Sequence, residues 1–428
     1  MTDNPEMPDA PGSPVRRARA LLFLGIGYLL LIFQLLALEL YLEQGLHEFA
    51  YSPFCPDEFP FGPMRGFTFE QLMEHVIRLL AGLPGLLLLT VGASQLVSLS
   101  PPGPEAMGRL TVAAAGLCLI LITVLVVLVL RDRPMMDDEL TYSYQAGLLA
   151  RGMLGDPGLP FIVPELFTVE GRAGFTGKYL FGEPLAQVPG WYLGVPALSH
   201  VPIAALTIWW LHKLAERVLD REHARWAAIL LCCSPMFLLT TPTAQSQATS
   251  LCCVVGAGLG YVCCTSDRPL RGAALLAGCV GFGLAVRPQA LLPVGIVLGP
   301  AALYHLIRAR KVAAVLVLLA VTGLFGAVIL GYNQLITGNP LKLPWYLVEP
   351  VERYGFGRIW ENDVFEHGLV TMLQNLGATL VRFNAWWLGW PCSLVLIWAW
   401  FRLGRPRIGG AIWGAVALAI VAFEAAYY

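Results

Sequence analysis

Three consecutive carboxylates, Asp137-Asp138-Glu139, open a segment that runs to Arg151-Gly152. They stand directly after an apolar run of membrane length, Leu110 to Leu130, and its basic stop Arg131-Asp132-Arg133. Ionised carboxylates are expensive in hydrocarbon, so the cluster belongs at the membrane surface or in a wet cavity beside it. Two cations can serve the same chemistry. Lys178 sits in the glycine-punctuated stretch Gly177-Lys178-Tyr179-Leu180-Phe181-Gly182-Glu183-Pro184, and Arg287 stands where a long apolar run breaks at Arg287-Pro288. A carboxylate can take a proton from a hydroxyl nucleophile. Cations can hold a phosphate as it leaves, and Arg suits bidentate contact.

Each residue also has a plainer reading. Asp138 would lie near the N-terminus of a helix running to Arg151, where the backbone dipole favours a negative charge, so it could be a cap alone. Lys178 could snorkel to the headgroups, and Arg287 could simply end a helix ahead of Pro288. Trp191, Trp386, Trp387 and Trp390 are expected in the interfacial aromatic belt. His200 and His367 are expected to be solvated loop residues.

The surroundings are membranous. Of 428 residues, 57% are hydrophobic and only 13% charged, with a mean hydropathy of +0.64. A soluble domain carries roughly 25% charged residues, so this chain cannot cover its surface in water. Repeated apolar runs near 20 residues specify helices rather than a barrel. A net charge of −1 gives no support for nucleic-acid binding. Of the ten cysteines, only Cys55 falls in an expected outer loop, and no Cys/His spacing resembles a zinc site; the others read as small packing residues.

The expected fold is all-α, a polytopic bundle of about eleven spans with two long extracytoplasmic loops. Residues 1–17 read as a disordered cytoplasmic tail, 18–107 as a two-span extension and 108–428 as the core. Within the core, spans are expected near Val201–Leu219, Trp226–Pro242, Ala248–Cys264 and Val312–Tyr332, with Ala273–Ile307 forming two short ones. Two more are expected near Trp386–Phe401 and Ala411–Tyr427. The first long loop, ending near His200, would begin with an amphipathic helix along the interface, with Leu140, Tyr144 and Leu148 as its apolar face. The second would cover about Asn333 to Leu380. Short basic connections at Lys213–Arg225, Arg268–Arg271, Arg308–Lys311 and Arg402–Arg407 place the N-terminus in the cytoplasm and both long loops outside. On that side ATP and nucleotide sugars are not in ordinary supply, so a transferase would need a lipid-borne, phosphate-activated donor.

At this point the chain resembles the type C glycosyltransferases, specifically the dolichyl-phosphate-mannose protein mannosyltransferase-like group (glycosyltransferase family 39 and bacterial relatives). The matching pieces are Asp138-Glu139-Leu140-Thr141-Tyr142, Gln145-Ala146, Arg151-Gly152, Gly177-Lys178-Tyr179, Pro184, Ser234-Pro235, Gly283 through Arg287-Pro288, Tyr332-Asn333 and Thr337-Gly338-Asn339-Pro340. They cover roughly Asp137 to Trp400 and are short; their order makes the likeness. It implies that the acidic pair holds the catalytic base, which carries over to Asp138 with Glu139 beside it. Asp137 or Glu139 would position the acceptor or a divalent cation. Substrate contacts are expected from Tyr142, Lys178, Tyr179, Arg287 and Asn339. The implied partners are a polyprenyl-phosphate-linked sugar donor, an acceptor hydroxyl and the bilayer of a bacterial inner membrane. A transporter or flippase for a lipid-linked or small solute is the alternative, although no internal repeat is visible. The chain departs from the group in having three spans, not one, ahead of the acidic run. It also reads Lys178-Tyr179-Leu180-Phe181-Gly182 where many relatives have Lys-Tyr-Pro-Pro-Gly. It ends at Tyr428 at the close of a span, where relatives often carry a further portion.

Overall fold

The computed structural model describes residues 103–130, 137–157, 168–348 and 410–426, with isolated positions elsewhere. Nearly all belong to one compact unit formed by 107–369 and 405–428; a second unit, 1–106 with 370–404, contributes few of them. Apart from 103–107 and isolated positions, the two-span extension expected in 18–107 and the span expected near Trp386–Phe401 lie outside the described residues.

The first unit is a helical bundle. Helix α1 (Pro104–Val124) winds more loosely at Leu125–Leu130. After it come α2 (Asp137–Ala150), a hairpin of β1 (Thr168–Gly171) and β2 (Gly174–Gly177), and α3 (Gly182–Tyr192). A 3-10 turn, Pro196–Ser199, leads into α4 (His200–Val218). Then follow α5 (Arg221–Cys232), α6 (Pro235–Thr240), α7 (Gln247–Cys264), α8 (Pro269–Val286), α9 (Pro288–Arg308) and α10 (Val312–Thr337). A short turn of helix, α11 (Trp345–Val348), precedes the two-residue strands β3 (Gly357–Arg358) and β4 (Glu366–His367). The last helix is α12 (Gly410–Ala426). The two antiparallel hairpins are the departure from an all-helical chain.

Five described helices are long and apolar enough to cross a membrane: α1 with its extension, α7, α8, α9 and α10. A sixth span arises if α3 and the turn-plus-α4, bent by 106° at Leu193–Val195, count together. The outer faces of α1 and α10 carry large exposed side chains such as Val112, Leu117, Leu316 and Leu324. That much apolar surface suits lipid rather than water. Inside, α7 and α8 pack through small residues, Ala257, Gly260, Ala273 and Ala277, as spans do when close backbone approach must replace a hydrophobic drive.

Four expectations are corrected. The span placed at Trp226–Pro242 is broken into α5, of 12 residues, and α6, of 6. Pro235 has no N–H to continue α5 and holds Ser234 extended at φ −69°, ψ 119°. The run from Ala273 to Ile307 makes two helices of 18 and 21 residues, each of membrane length, rather than two short spans. Asn333 is not a loop residue, because α10 continues to Thr337 and stops at Gly338, whose φ of +78° is the left-handed capping conformation that glycine adopts without cost. Finally, α2 is not divided into an apolar Leu140-Tyr144-Leu148 face and a polar one. Leu148 is buried, but so are Glu139, Thr141, Tyr142 and Gln145, while Leu140 and Tyr144 are half-buried, so polar positions of α2 also point into the protein and are hydrogen-bonded there.

Candidate functional site

Arg287 takes its place from the backbone. Pro288 pushes it out of the helical region to φ −151°, ψ 91°, so one residue both ends α8 and begins α9. Its N–H closes α8 on Gly283 O at 2.8 Å. Its half-buried guanidinium makes no ion pair with a described residue.

Lys178 and Tyr179 follow β2, and Gln145 of α2 fixes them. The Gln145 amide donates to Gly177 O at 3.2 Å and to Tyr179 O at 2.9 Å. The Tyr332 hydroxyl of α10 reaches the same Tyr179 carbonyl at 3.3 Å. Directly after this stretch, Gly182 starts α3 against the end of α8. A Cβ there would meet the Ala285 carbonyl carbon at 2.4 Å and Val286 N at 2.5 Å, so only glycine permits the approach.

These elements enclose a cavity of about 390 Å³ lined by Asp138, Tyr142, Lys178, Tyr179, Arg287 and Trp345, among others. That volume is in the range of small-molecule sites, about 300–1,000 Å³. Tyr142 stacks on Tyr179 with ring centroids 4.3 Å apart, and Tyr179 meets Trp345 at 5.5 Å. Lys178 does not snorkel outward. It is 3% exposed, with Nζ 4.0 Å from the Trp345 centroid and 5.4 Å from that of Tyr179. Asp138 accepts a hydrogen bond from the Tyr179 hydroxyl. Burial is the largest influence on the Tyr142 phenol and raises its pKa, as do the Glu183 and Asp138 carboxylates. A hydrogen bond with Ser246 and the charge of Arg287 pull the other way. The net effect is upward.

Five of the eight residues singled out from sequence therefore share one cavity: Asp138, Tyr142, Lys178, Tyr179 and Arg287. Glu139 is not on its wall. It is 2% exposed and accepts from Ala244 N–H and the Gln245 amide, both at 3.4 Å. Asn339 is not there either; it is exposed in the turn after α10, where its Oδ1 accepts from Leu341 N–H at 2.9 Å. Together with Asn333, which donates to Pro340 O at 3.0 Å, it shapes the turn that delivers Leu343–Tyr346 to the cavity. Asp137 begins α2, and its side chain lies outside the described residues. Asp138 and Glu139 have different hydrogen-bond partners, Tyr179 for the one and Ala244 with Gln245 for the other. No group of three or more His, Cys, Asp or Glu gathers among the described residues.

Sequence reasoning missed two features. Gln245, Ser246, Gln247 and Gln289 line the cavity from the polar junction before α7 and the start of α9; their only signal was polarity at helix ends. His200, expected to be solvated, is 0% exposed and pairs with Glu183 at 2.8 Å. A histidine beside Pro196 and ahead of an apolar run looks like a loop residue until its partner on α3 is known. No family model, curated protein or solved structure matches the chain.

Proposed function

We propose that the chain is a membrane-bound glycosyltransferase that moves a hexosyl or pentosyl group from a polyprenyl-phosphate donor to an acceptor hydroxyl on the extracytoplasmic side. The observation that carries this reading is the meeting of Asp138, Lys178 and Arg287 on one cavity, although they come from distant parts of the sequence. The reading also draws on the likeness of the acidic run, Gly177-Lys178-Tyr179 and Arg287-Pro288 to the type C enzymes.

The reaction would be a single inverting displacement. Asp138 takes the acceptor's proton as the acceptor oxygen bonds to the anomeric carbon. The bond from that carbon to the phosphate oxygen breaks, and the phosphate leaves with the electron pair. Lys178 and Arg287 stabilise the departing anion, and Arg287 brings a guanidinium with no competing carboxylate among the described residues. The rings of Tyr142, Tyr179 and Trp345 would give a sugar an aromatic surface to lie against.

The test is chromatography of polyprenyl-phosphate-linked sugars incubated with cell membranes, which supply the acceptors, prepared with and without the full chain. Loss of donor with release of polyprenyl phosphate supports the proposal, and an intact donor pool across hexosyl and pentosyl donors refutes it. The bend between α3 and α4 favours a second reading, a transporter or flippase. In that case the lipid changes leaflet with its sugar–phosphate bond unbroken.

A further inference from the structure

Behind the cavity wall, buried polar side chains form a continuous chain that ends beside Asp138. Glu183, Gln187 and His200 are each 0% exposed. Glu183 Oε1 accepts from Gln187 Nε2 at 2.9 Å and lies 2.8 Å from His200 Nε2. Both partners also grip the segment between α6 and α7. Gln187 Nε2 donates to Ala244 O at 2.8 Å. His200 Nδ1 lies 2.8 Å from Thr243 O and 3.1 Å from Thr241 O. Carbonyls only accept, so Nδ1 carries the proton. From this segment, Ala244 N–H and the Gln245 amide reach the two carboxylate oxygens of Glu139. Glu139 is on the first turn of α2, next to Asp138.

Such a network is costly. Removing an ionisable pair from water costs several kcal/mol, and apolar residues of similar volume often serve stability as well or better. Glu183, Gln187, His200 and Glu139 do not line the cavity, so they do not touch a substrate held there. What the chain of bonds does is immobilise residues 241–245 and, through Glu139, the turn that bears Asp138. Asp138 is thereby held between two fixed bodies, this segment on one side and the Tyr179 hydroxyl on the other.

We infer that Glu183, Gln187, His200 and Glu139 are positioning residues, which lock the 241–245 segment onto the first turn of α2 and so aim the Asp138 carboxylate into the cavity. This rests on the reading of Asp138 as the base. A base displaced by about 1 Å can lose about 10²-fold in rate, so the network would matter for turnover more than for donor binding.

The test pairs two readouts on the purified full chain. Gln187→Leu cuts the bond from Glu183 to Ala244 O at nearly constant size. Hydrogen exchange read by mass spectrometry is expected to speed up both in 241–247 and in the first two turns of α2. In the transferase assay, kcat is expected to fall by at least about tenfold while the donor KM moves by less than about twofold. Glu183→Gln keeps the size of the side chain but must put either an oxygen or an amide nitrogen where the single oxygen Oε1 serves both Gln187 and His200, so it should keep one of the two contacts and give a rate and a protection between those of wild type and Gln187→Leu. Should Gln187→Leu fail to fold, Glu139→Gln tests the last link, with faster exchange at α2 and a lower kcat. Faster exchange confined to 241–247, or an unchanged kcat per folded molecule, overturns the inference. The exchange readout does not depend on transfer, so an inactive wild type refutes the proposed function while α2 coupling is still decided.

Discussion

Asp138→Asn separates a base from a structural carboxylate. The amide keeps the size of the side chain and an oxygen that can accept the Tyr179 hydroxyl, the hydrogen bond that Asp138 makes. What is lost in the fold is the charge. Turning a charge-assisted hydrogen bond into a neutral one costs about 1 kcal/mol, and removing a negative charge from the first turn of α2 costs about 0.3–1 kcal/mol. A loss of about 2 kcal/mol leaves a protein of ordinary stability, about 5–15 kcal/mol, almost entirely folded. The chemical loss is larger. An amide cannot take the acceptor's proton near neutral pH, and losing a general base costs about 10²–10⁴-fold, or about 2.7–5.4 kcal/mol of transition-state stabilisation. The measurement is the single-turnover rate of donor consumption per mole of folded protein, with folding followed by thermal melting in detergent. Asp138→Asn should lose at least about a hundredfold in rate with only a small shift in melting. Asp138→Asn turning over at the wild-type rate would sink the mechanism, because the carboxylate would then be no more than a partner for Tyr179.

Other perturbations check the rest of the site and its frame. Arg287→Leu should weaken inhibition by free polyprenyl phosphate by about tenfold or more, while Arg287→Lys should keep part of it; equal affinities in wild type and Arg287→Leu would exclude a phosphate contact there. Gly182→Ala should destabilise by about 1–3 kcal/mol, read as a lower melting temperature, because its Cβ meets the backbone of Ala285 and Val286. An unchanged melting temperature would mean that α3 and α8 do not approach so closely. For orientation, a cysteine introduced at Asn339 should react with an impermeant maleimide in intact spheroplasts, and one at Arg310 only after permeabilisation; the reverse pattern would invert the topology.

What the sequence determined by itself came from local physics. Hydropathy over windows of membrane length located α1, α7, α8, α9 and α10, because a helix that faces lipid must be apolar along its whole length whatever it packs against. The break at Arg287-Pro288 was equally legible, since proline acts on its own backbone and on the residue before it. The charged residues Asp138, Lys178 and Arg287 of the cavity could be named as well, because charge near hydrocarbon is expensive and stands out in an apolar sequence.

Tertiary structure alone decided which carboxylate faces the cavity. Asp138 and Glu139 are adjacent and chemically alike. Nothing within their own helix tells them apart, and the apolar positions Leu140, Tyr144 and Leu148 do not show that Glu139, Thr141 and Gln145 are buried too. Glu139 turns away because its partners, Ala244 and Gln245, lie 105 and 106 residues further along the chain, held in place by Gln187 and by His200 paired with Glu183. The same holds for Lys178, which from sequence could equally snorkel to the headgroups. It is buried where Trp345, the first residue of α11, supplies a ring for it to rest on. A polar group in a low-dielectric interior takes its direction from whichever partner satisfies it, and that partner is set by how the helices pack rather than by the residues on either side.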